Sequence, residues 1–328
     1  MKTARTLPKA LVTLIGVMLI VSALTSAALA QYPNRTVKIV SPAPPAGSTD
    51  IVARLVQPGL KEILKQSVII ESRGGAGGYI GSDYVSKASP DGYTLLLGGA
   101  FTAITALMHK QPSYNPTTDL VPVAVFASVP NVLVAGPRLK AHTVAALIAE
   151  AKAHPGKLDV GSNGIGTTLH LSAELFMMRT GISMTHVAYR GWAECVLGLL
   201  KGEVDAMFDN ISTALPNITA GKTRALAITA STRNRFLPDT PTLDELGVKN
   251  AEVTSWFGIF APHGTPRPVI DTLGSAFKAI SDDPSFRKQV EHQGMDVTYY
   301  GPEAAAKFWN AEIGKWQSVI RSARVGLQ

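Results

Sequence analysis

Residues 37–64 read VKIVSPAPPAGSTDIVARLVQPGLKEIL. Val37-Lys38-Ile39-Val40 is a short β-type run. It gives way to Pro42-Ala43-Pro44-Pro45-Ala46-Gly47-Ser48-Thr49-Asp50, where prolines and a glycine stop a strand. Ile51, Leu55, Val56, Leu60, Ile63 and Leu64 then recur at helical spacing. Pro58 inside that pattern argues against an unbroken helix. The same order returns at once. Val68-Ile69-Ile70 is a strand, Gly74-Gly75-Ala76-Gly77-Gly78 a turn, 79–88 a helix and 93–97 a strand. A repeated strand, loop and helix predicts an α/β fold with a mostly parallel sheet covered by helices on both faces. Such sheets take ligands beyond the carboxyl ends of their strands.

A second unit starts near residue 130. Strands are expected at 132–134, 160–162, 185–189, 204–208, 226–229 and 256–261, with helices at 143–153, 169–179 and 193–201 between them. Three helices, at about 267–281, 284–293 and 302–324, close the chain. The last repeats Phe308, Ile313, Trp316 and Ile320 at helical spacing, which reads as core. Two crossing segments, near 126–132 and 252–260, connect the units. The expected layout is a first lobe from 31–130 and 255–328 and a second from 131–254.

Residues 1–30 form an export leader. Lys2, Arg5 and Lys9 precede an apolar run from about Ala10 to Leu24, and Ala28-Leu29-Ala30 offers a small-residue exit. This is a secretory signal peptide with cleavage after Ala30. No later segment has the ~18 continuous apolar residues of a membrane span. Export places the protein where ATP and NAD(P)H are not supplied, which weighs against a kinase or dehydrogenase. Removing the leader's three cations takes the net charge from +7 to +4. That suits a weak field for a small anion, or simple solubility. No basic block or aromatic-interleaved basic stripe supports nucleic-acid binding. Cys195 is the only cysteine, so no intrachain disulfide forms. Glu194 opposes a thiolate there, and Cys195 reads as structural.

Enzyme signatures are missing. There is no G-x-S-x-G elbow, H-E-x-x-H, Walker A or G-x-G-x-x-G, and the seven histidines lack metal-ligand spacing. No cofactor or metal is expected. Three glycine-containing polar turns at strand ends remain. In the first, Ala46 to Asp50, free N–H groups at a helix start could take a carboxylate without a cationic side chain. Ser48 or Thr49 could instead only cap that helix. The second, Ser162-Asn163-Gly164-Ile165-Gly166-Thr167-Thr168, repeats this logic. His170 one turn later could donate inward or be a satisfied structural histidine. In the third, Tyr189-Arg190-Gly191-Trp192, Arg190 could fork onto a carboxylate and Trp192 could wall a pocket. Asp209 could accept from an ammonium or hydroxyl, or hold Arg190 or a loop N–H.

These residues, with others in the same order, resemble the Bug family of periplasmic solute receptors of tripartite tricarboxylate transporters (TctC-like). The matching segments are Tyr32-Pro33-x-Arg35, Pro44-Pro45-x-Gly47-x-Thr49-Asp50, Gly75-Ala76-Gly77-Gly78 and Ser89-Pro90-Asp91-Gly92-Tyr93-Thr94-Leu95. They continue through Pro155-Gly156-Lys157-Leu158, Gly166-Thr167 with His170-Leu171, Tyr189-Arg190-Gly191, Val204-Asp205-x-Met207-Phe208-Asp209, Leu237-Pro238-Asp239-x-Pro241-Thr242 and Trp256-Phe257-Gly258. The resemblance implies a two-lobed, type II Venus-flytrap binding protein, monomeric and periplasmic. It implies a ligand held between the lobes, from a family range of organic acids, acidic amino acids and some aromatic acids, with an organic diacid or aromatic acid expected here, and delivery to the transporter's membrane subunits. Carried onto this chain, its ligand-binding positions are Ala43, Pro45, Gly47, Ser48, Thr49 and Asp50 on one lobe. On the other they are Ser162, Asn163, Gly164, Thr167, Thr168, His170 and Asp209, with Arg190 and Trp192 beside them.

The chain departs from the family in useful places. An aromatic is common where Ala43 stands, a glycine where Ala46 stands, Asn where Ser72 stands and a small residue where Trp192 stands. An aromatic lost on one lobe and gained on the other implies a pocket for a ligand bulkier or flatter than a C4 diacid. Two rivals keep the same residues: a sensor that passes the ligand's signal to another protein, and a secreted hydrolase using Ser162, His170 and Asp209.

Overall fold

The computed structural model describes residues 32–323; the leader and its cleavage site lie outside them. The opening stretch folds as β1 (Val37–Ser41) and α1 (Ser48–Leu64). Val52, Val56, Leu60 and Leu64 give α1 one buried face. Contrary to expectation, Pro58 does not break the helix. It lies on the exposed face, where water can serve the carbonyl left without a donor.

Ten strands form one curled, mixed sheet in the order β2-β1-β3-β9-β4-β7-β5-β6, with β8 and β10 also on β4. The expected parallel pairing holds in the two wings. On one side, β1 pairs with β2 (Val68–Ser72) and β3 (Thr94–Gly98). On the other, β5 (Asp159–Ser162) pairs with β6 (Thr185–Ala188) and β7 (Ala206–Asn210). The centre is antiparallel. The segments expected to cross between the units are β4 (Leu120–Ala135) and β9 (Thr254–Pro262), and they pair with each other, Ser128 opposite Trp256 and Pro130 opposite Thr254. The first half of β4 pairs with β9 and β10 (Asp296–Tyr300), the second half with β7 and β8 (Arg224–Ile228).

Side chains alternate across the sheet into two cores. Leu96, Val125, Phe208 and Phe260 enter one; Leu95, Leu97, Phe126 and Met207 enter the other. Cys195 belongs to the second, fully buried with Sγ 3.8 Å from Met207 Sδ, and burial pushes its thiol up. Three elements were not anticipated: β10, the helix at Ala100–Leu107, and the helix at Ile211–Thr219. The first helix is small and apolar all round, and neither it nor β10 shows a clean period.

The C-terminal helix (Pro302–Ala323) buries Trp309, Ile313, Trp316 and Ile320. Its buried Glu312 accepts from Trp256 Nε1 at 2.8 Å and Trp316 Nε1 at 3.0 Å. The helix thereby fixes Trp256 on β9. Glu312→Ala leaves two buried indole N–H groups without an acceptor. It should lower unfolding free energy by about 2–4 kcal/mol in urea titration, and Glu312→Gln, which keeps one acceptor, by less.

Candidate functional site

A cavity enclosing about 760 Å³, its open mouth included, lies where the β1 and β5 ends meet β7 and β9. Four helix starts converge on it. Ser48 and Thr49 open α1; Thr168 opens the helix Thr168–Thr180; Trp192 opens Trp192–Lys201; Asn210 is the N-cap of Ile211–Thr219. The first and third are capped by Gly47 and Gly191, which have no side chain to occupy the free N–H groups. These two starts belong to different wings yet nearly touch: a Cβ on Gly47 would sit 3.7 Å from Trp192 Cβ. Ser48 Oγ and Ser212 Oγ, 2.9 Å apart, bridge the same seam. Backbone donors and helix dipoles therefore face a shared space from both sides. Among the described residues no Asp or Glu lines it, and Arg190 is the only charged side chain that does.

The expected site residues divide into three groups. Ala43, Gly47, Ser48, Thr49, Asn163, Thr167, Thr168, Arg190 and Trp192 line the cavity. Asn163 Oδ1 is buried without a partner, so this wall holds one spare acceptor. Pro45 and Gly164 instead line an outer recess that adjoins the cavity at Pro44, Gly75, Gly77 and Arg190. Asp50, Ser162, His170 and Asp209 are not among the lining residues and are held by protein partners, although Asp50 Oδ1 is buried without one. Asp50 Oδ2 accepts from Ala46 N at 3.2 Å and Arg54 Nε at 3.0 Å, which steadies the loop where Ala46 takes φ 74°. That left-handed backbone costs an alanine ~1 kcal/mol, and a glycine nothing.

His170 does not donate inward. Its Nδ1 accepts from Gly166 N at 3.2 Å, and its ring stacks on His186 at 4.1 Å. Ser162 Oγ bonds His186 Nε2 at 2.7 Å, not His170. Asp209 bonds neither of them: Trp192 Nε1 donates to Oδ1 at 3.0 Å and Oδ2 at 2.9 Å, and Thr213 Oγ1 and Asn210 N donate to Oδ1. The Ser162, His170 and Asp209 constellation weighed for a hydrolase is thus not assembled. Sequence reasoning missed Phe101, Asn210, Ser255, Trp256 and Phe257 in the cavity wall. Trp256-Phe257 carried a signal, as part of the family pattern; Phe101 and Ser255 carried none.

A further contact joins the two wings. The Ala76–Gly78 turn packs on the Ser162–Thr168 loop so closely that a Cβ on Gly77 would lie 2.1 Å from the carbonyl oxygen of Ile165. Gly77 also has φ 65°, so both the approach and the backbone require glycine.

The family described as the tripartite tricarboxylate transporter family receptor matches residues 52–325. The chain belongs to this family of solute receptors. Protein BugT of Bordetella pertussis is 35% identical over 97% of this chain and 98% of its own. Among solved structures, a protein of R. palustris with adipate is 35% identical, covers 90% of this chain and 99% of its own, and superposes with a TM-score of 0.86. MatC from Rhodopseudomonas palustris with bound malate is 32% identical over 88% of this chain and 100% of its own, at a TM-score of 0.83.

Two groups behind the receptor's cavity titrate abnormally. Burial pushes the Asp209 carboxyl up to about 7, against the pull of the Thr213, Trp192 and Asn210 donors. Between its unfolded value near ~4 and about 7, the native protein holds a proton the unfolded chain has released. Stability from this group is full at low pH and lost as pH rises through that window. His186 is lowered to about 4 by burial and by the adjacent His170, so its contribution is lost as pH falls from ~6.5 to about 4. The two slopes oppose each other. Asp209→Asn removes the first, so the Tm of the variant relative to the parent should climb from pH 4 to pH 7 (~3 units, the window above); a constant difference contradicts the assignment. Gly77→Ala should lower the ligand-free Tm by the few degrees that ~1 kcal/mol of left-handed backbone strain costs, and should weaken ligand affinity at least ~10-fold further by calorimetry, because the clash with Ile165 is added when the two loops meet.

Proposed function

We propose that this receptor binds an organic acid in the periplasm and delivers it to the membrane subunits of a tripartite tricarboxylate transporter. The observation that carries the reading is the convergence of glycine-capped helix starts on a cavity without an acidic side chain. Such a site stabilises a carboxylate by fixed backbone dipoles, and Arg190 at its rim can add a charged fork. That two related structures hold adipate and malate supports the same chemistry.

Function follows from closure. Residues 31–130 with 255–328 form one lobe and 131–254 the other, and a ligand touching both shifts an open–closed equilibrium toward the closed form. Its membrane partner reads that shape, and no covalent step is needed. The ligand-binding set is Ala43, Gly47, Ser48, Thr49, Asn163, Thr167, Thr168, Arg190 and Trp192. Phe101, Trp192 and Trp256 in one cavity favour a flat or extended acid over a C4 diacid. The protein acts as a monomer after cleavage behind Ala30.

A thermal-shift screen against mono-, di- and tricarboxylates and aromatic acids tests this. An acid present at ~100 times its dissociation constant should add about 2.7 kcal/mol and raise Tm by several degrees. Hits confined to small diacids discard the flat-ligand element, and no hit among any acids overturns the reading.

A further inference from the structure

The cavity wall contains donors from four helix starts, one spare amide oxygen on Asn163 and no carboxylate. Two carboxyl groups adjoin lining residues in sequence: Asp50, after Thr49, is paired with Arg54, whereas Asp209, before Asn210, has no cationic partner among the described residues and is almost fully buried. What separates it from the cavity is Trp192. The indole lines the cavity on one side and donates its single N–H to both Asp209 oxygens on the other. The two oxygens are not equally held. Oδ1 also accepts from Asn210 N at 2.8 Å and Thr213 Oγ1 at 2.6 Å, whereas Oδ2 accepts from Trp192 alone. Trp192 is therefore the one group whose removal both opens a path to Asp209 and frees one of its oxygens.

We propose that Trp192 makes the receptor selective for acids that carry no ammonium group, by masking Asp209 from the ligand. The inference rests on reading the cavity as a carboxylate site and names the ligands that site refuses. An α-amino acid brings a cation as well as a carboxylate. Enclosed among N–H and O–H donors, that ammonium finds no opposite charge, and an unpaired buried charge is strongly disfavoured. Hydroxy acids are not refused, because Asn163 Oδ1 can accept from a neutral hydroxyl. Selectivity here arises from a carboxylate that is present in the fold but withheld from the cavity.

The test compares acids that differ only by the amino group: succinate with aspartate, glutarate with glutamate, and 3-phenylpropanoate with phenylalanine. Affinities are measured by calorimetry on the whole protein and on Trp192→Ala, Trp192→Phe and the double variant Trp192→Ala/Asp209→Asn. The parent should favour the amine-free member of whichever pair it binds by ~10–100-fold, the cost of an unmatched buried polar group. Trp192→Ala should shrink that ratio at least ~10-fold, and the added Asp209→Asn should restore it. Trp192→Phe keeps the ring and its packing while losing the N–H. It should move the ratio in the same direction by a smaller step, so the outcome does not hinge on one variant's folding. A parent that binds amino acids as tightly as their amine-free partners overturns the inference while leaving the carboxylate reading intact. So does an unchanged ratio in both Trp192 variants. Binding of no acid by the parent overturns the carboxylate reading itself, and this inference with it.

Discussion

Antiparallel hydrogen bonding between β4 and β9 is the constraint on which the rest of the molecule depends. β4 is sixteen residues long, and its two halves serve different sets of strands. A pair of extended strands crossing side by side resists twisting and shear far better than a single linker. It lets both cores, one on each face of the sheet, share a common spine. The parallel wings then end beside the spine, and the turns after β1 and β5 come to face each other. Ser255 and Trp256 enter the cavity from the spine itself, and the buried Glu312 of the C-terminal helix holds Trp256 in place.

The cavity so formed works largely with backbone. Glycine at both N-caps leaves N–H groups free, and glycine at 77 lets one loop reach the carbonyl of Ile165. Several side chains around it serve the fold itself. Thr167 and Ser162 are occupied in holding their own loop, His170 accepts from Gly166, and Asp50 steadies the turn around Ala46. The buried Asp209 and the half-buried His186 give stability opposing slopes with pH, which partly cancel between about pH 4 and ~6.5.

Much of this was legible beforehand, for identifiable reasons. Alternation of β-type runs with 3.6-period apolar patterns marked β1, α1, β2, β3 and the second unit. Glycine and proline clusters located the turns, and ordered short motifs identified the family. Less visible were the helix at Ala100–Leu107 and the strand β10, because a buried helix without a polar face and a strand without alternation carry no period. Pro58 misled for a related reason: its effect depends on whether the freed carbonyl faces water, which the chain alone does not reveal.

The sequence by itself determined the class of fold, the family and the loops that meet at the cavity, because those are written in local periodicity and in backbone-specific residues such as Gly47, Gly77 and Gly191. Tertiary structure alone decided which members of those loops line the cavity. Ser48 and Asp50 are two residues apart, as are Asn210 and Ser212, yet one turn of a helix start separates a cavity wall from a buried interior. The partner of each polar group comes from far along the chain: Trp192 for Asp209, His186 for Ser162, Ser255 for Thr168. A hydrogen-bond partner is a matter of distance and angle in space, so whether a polar residue binds a ligand or only its neighbours could be read only once the strands were paired.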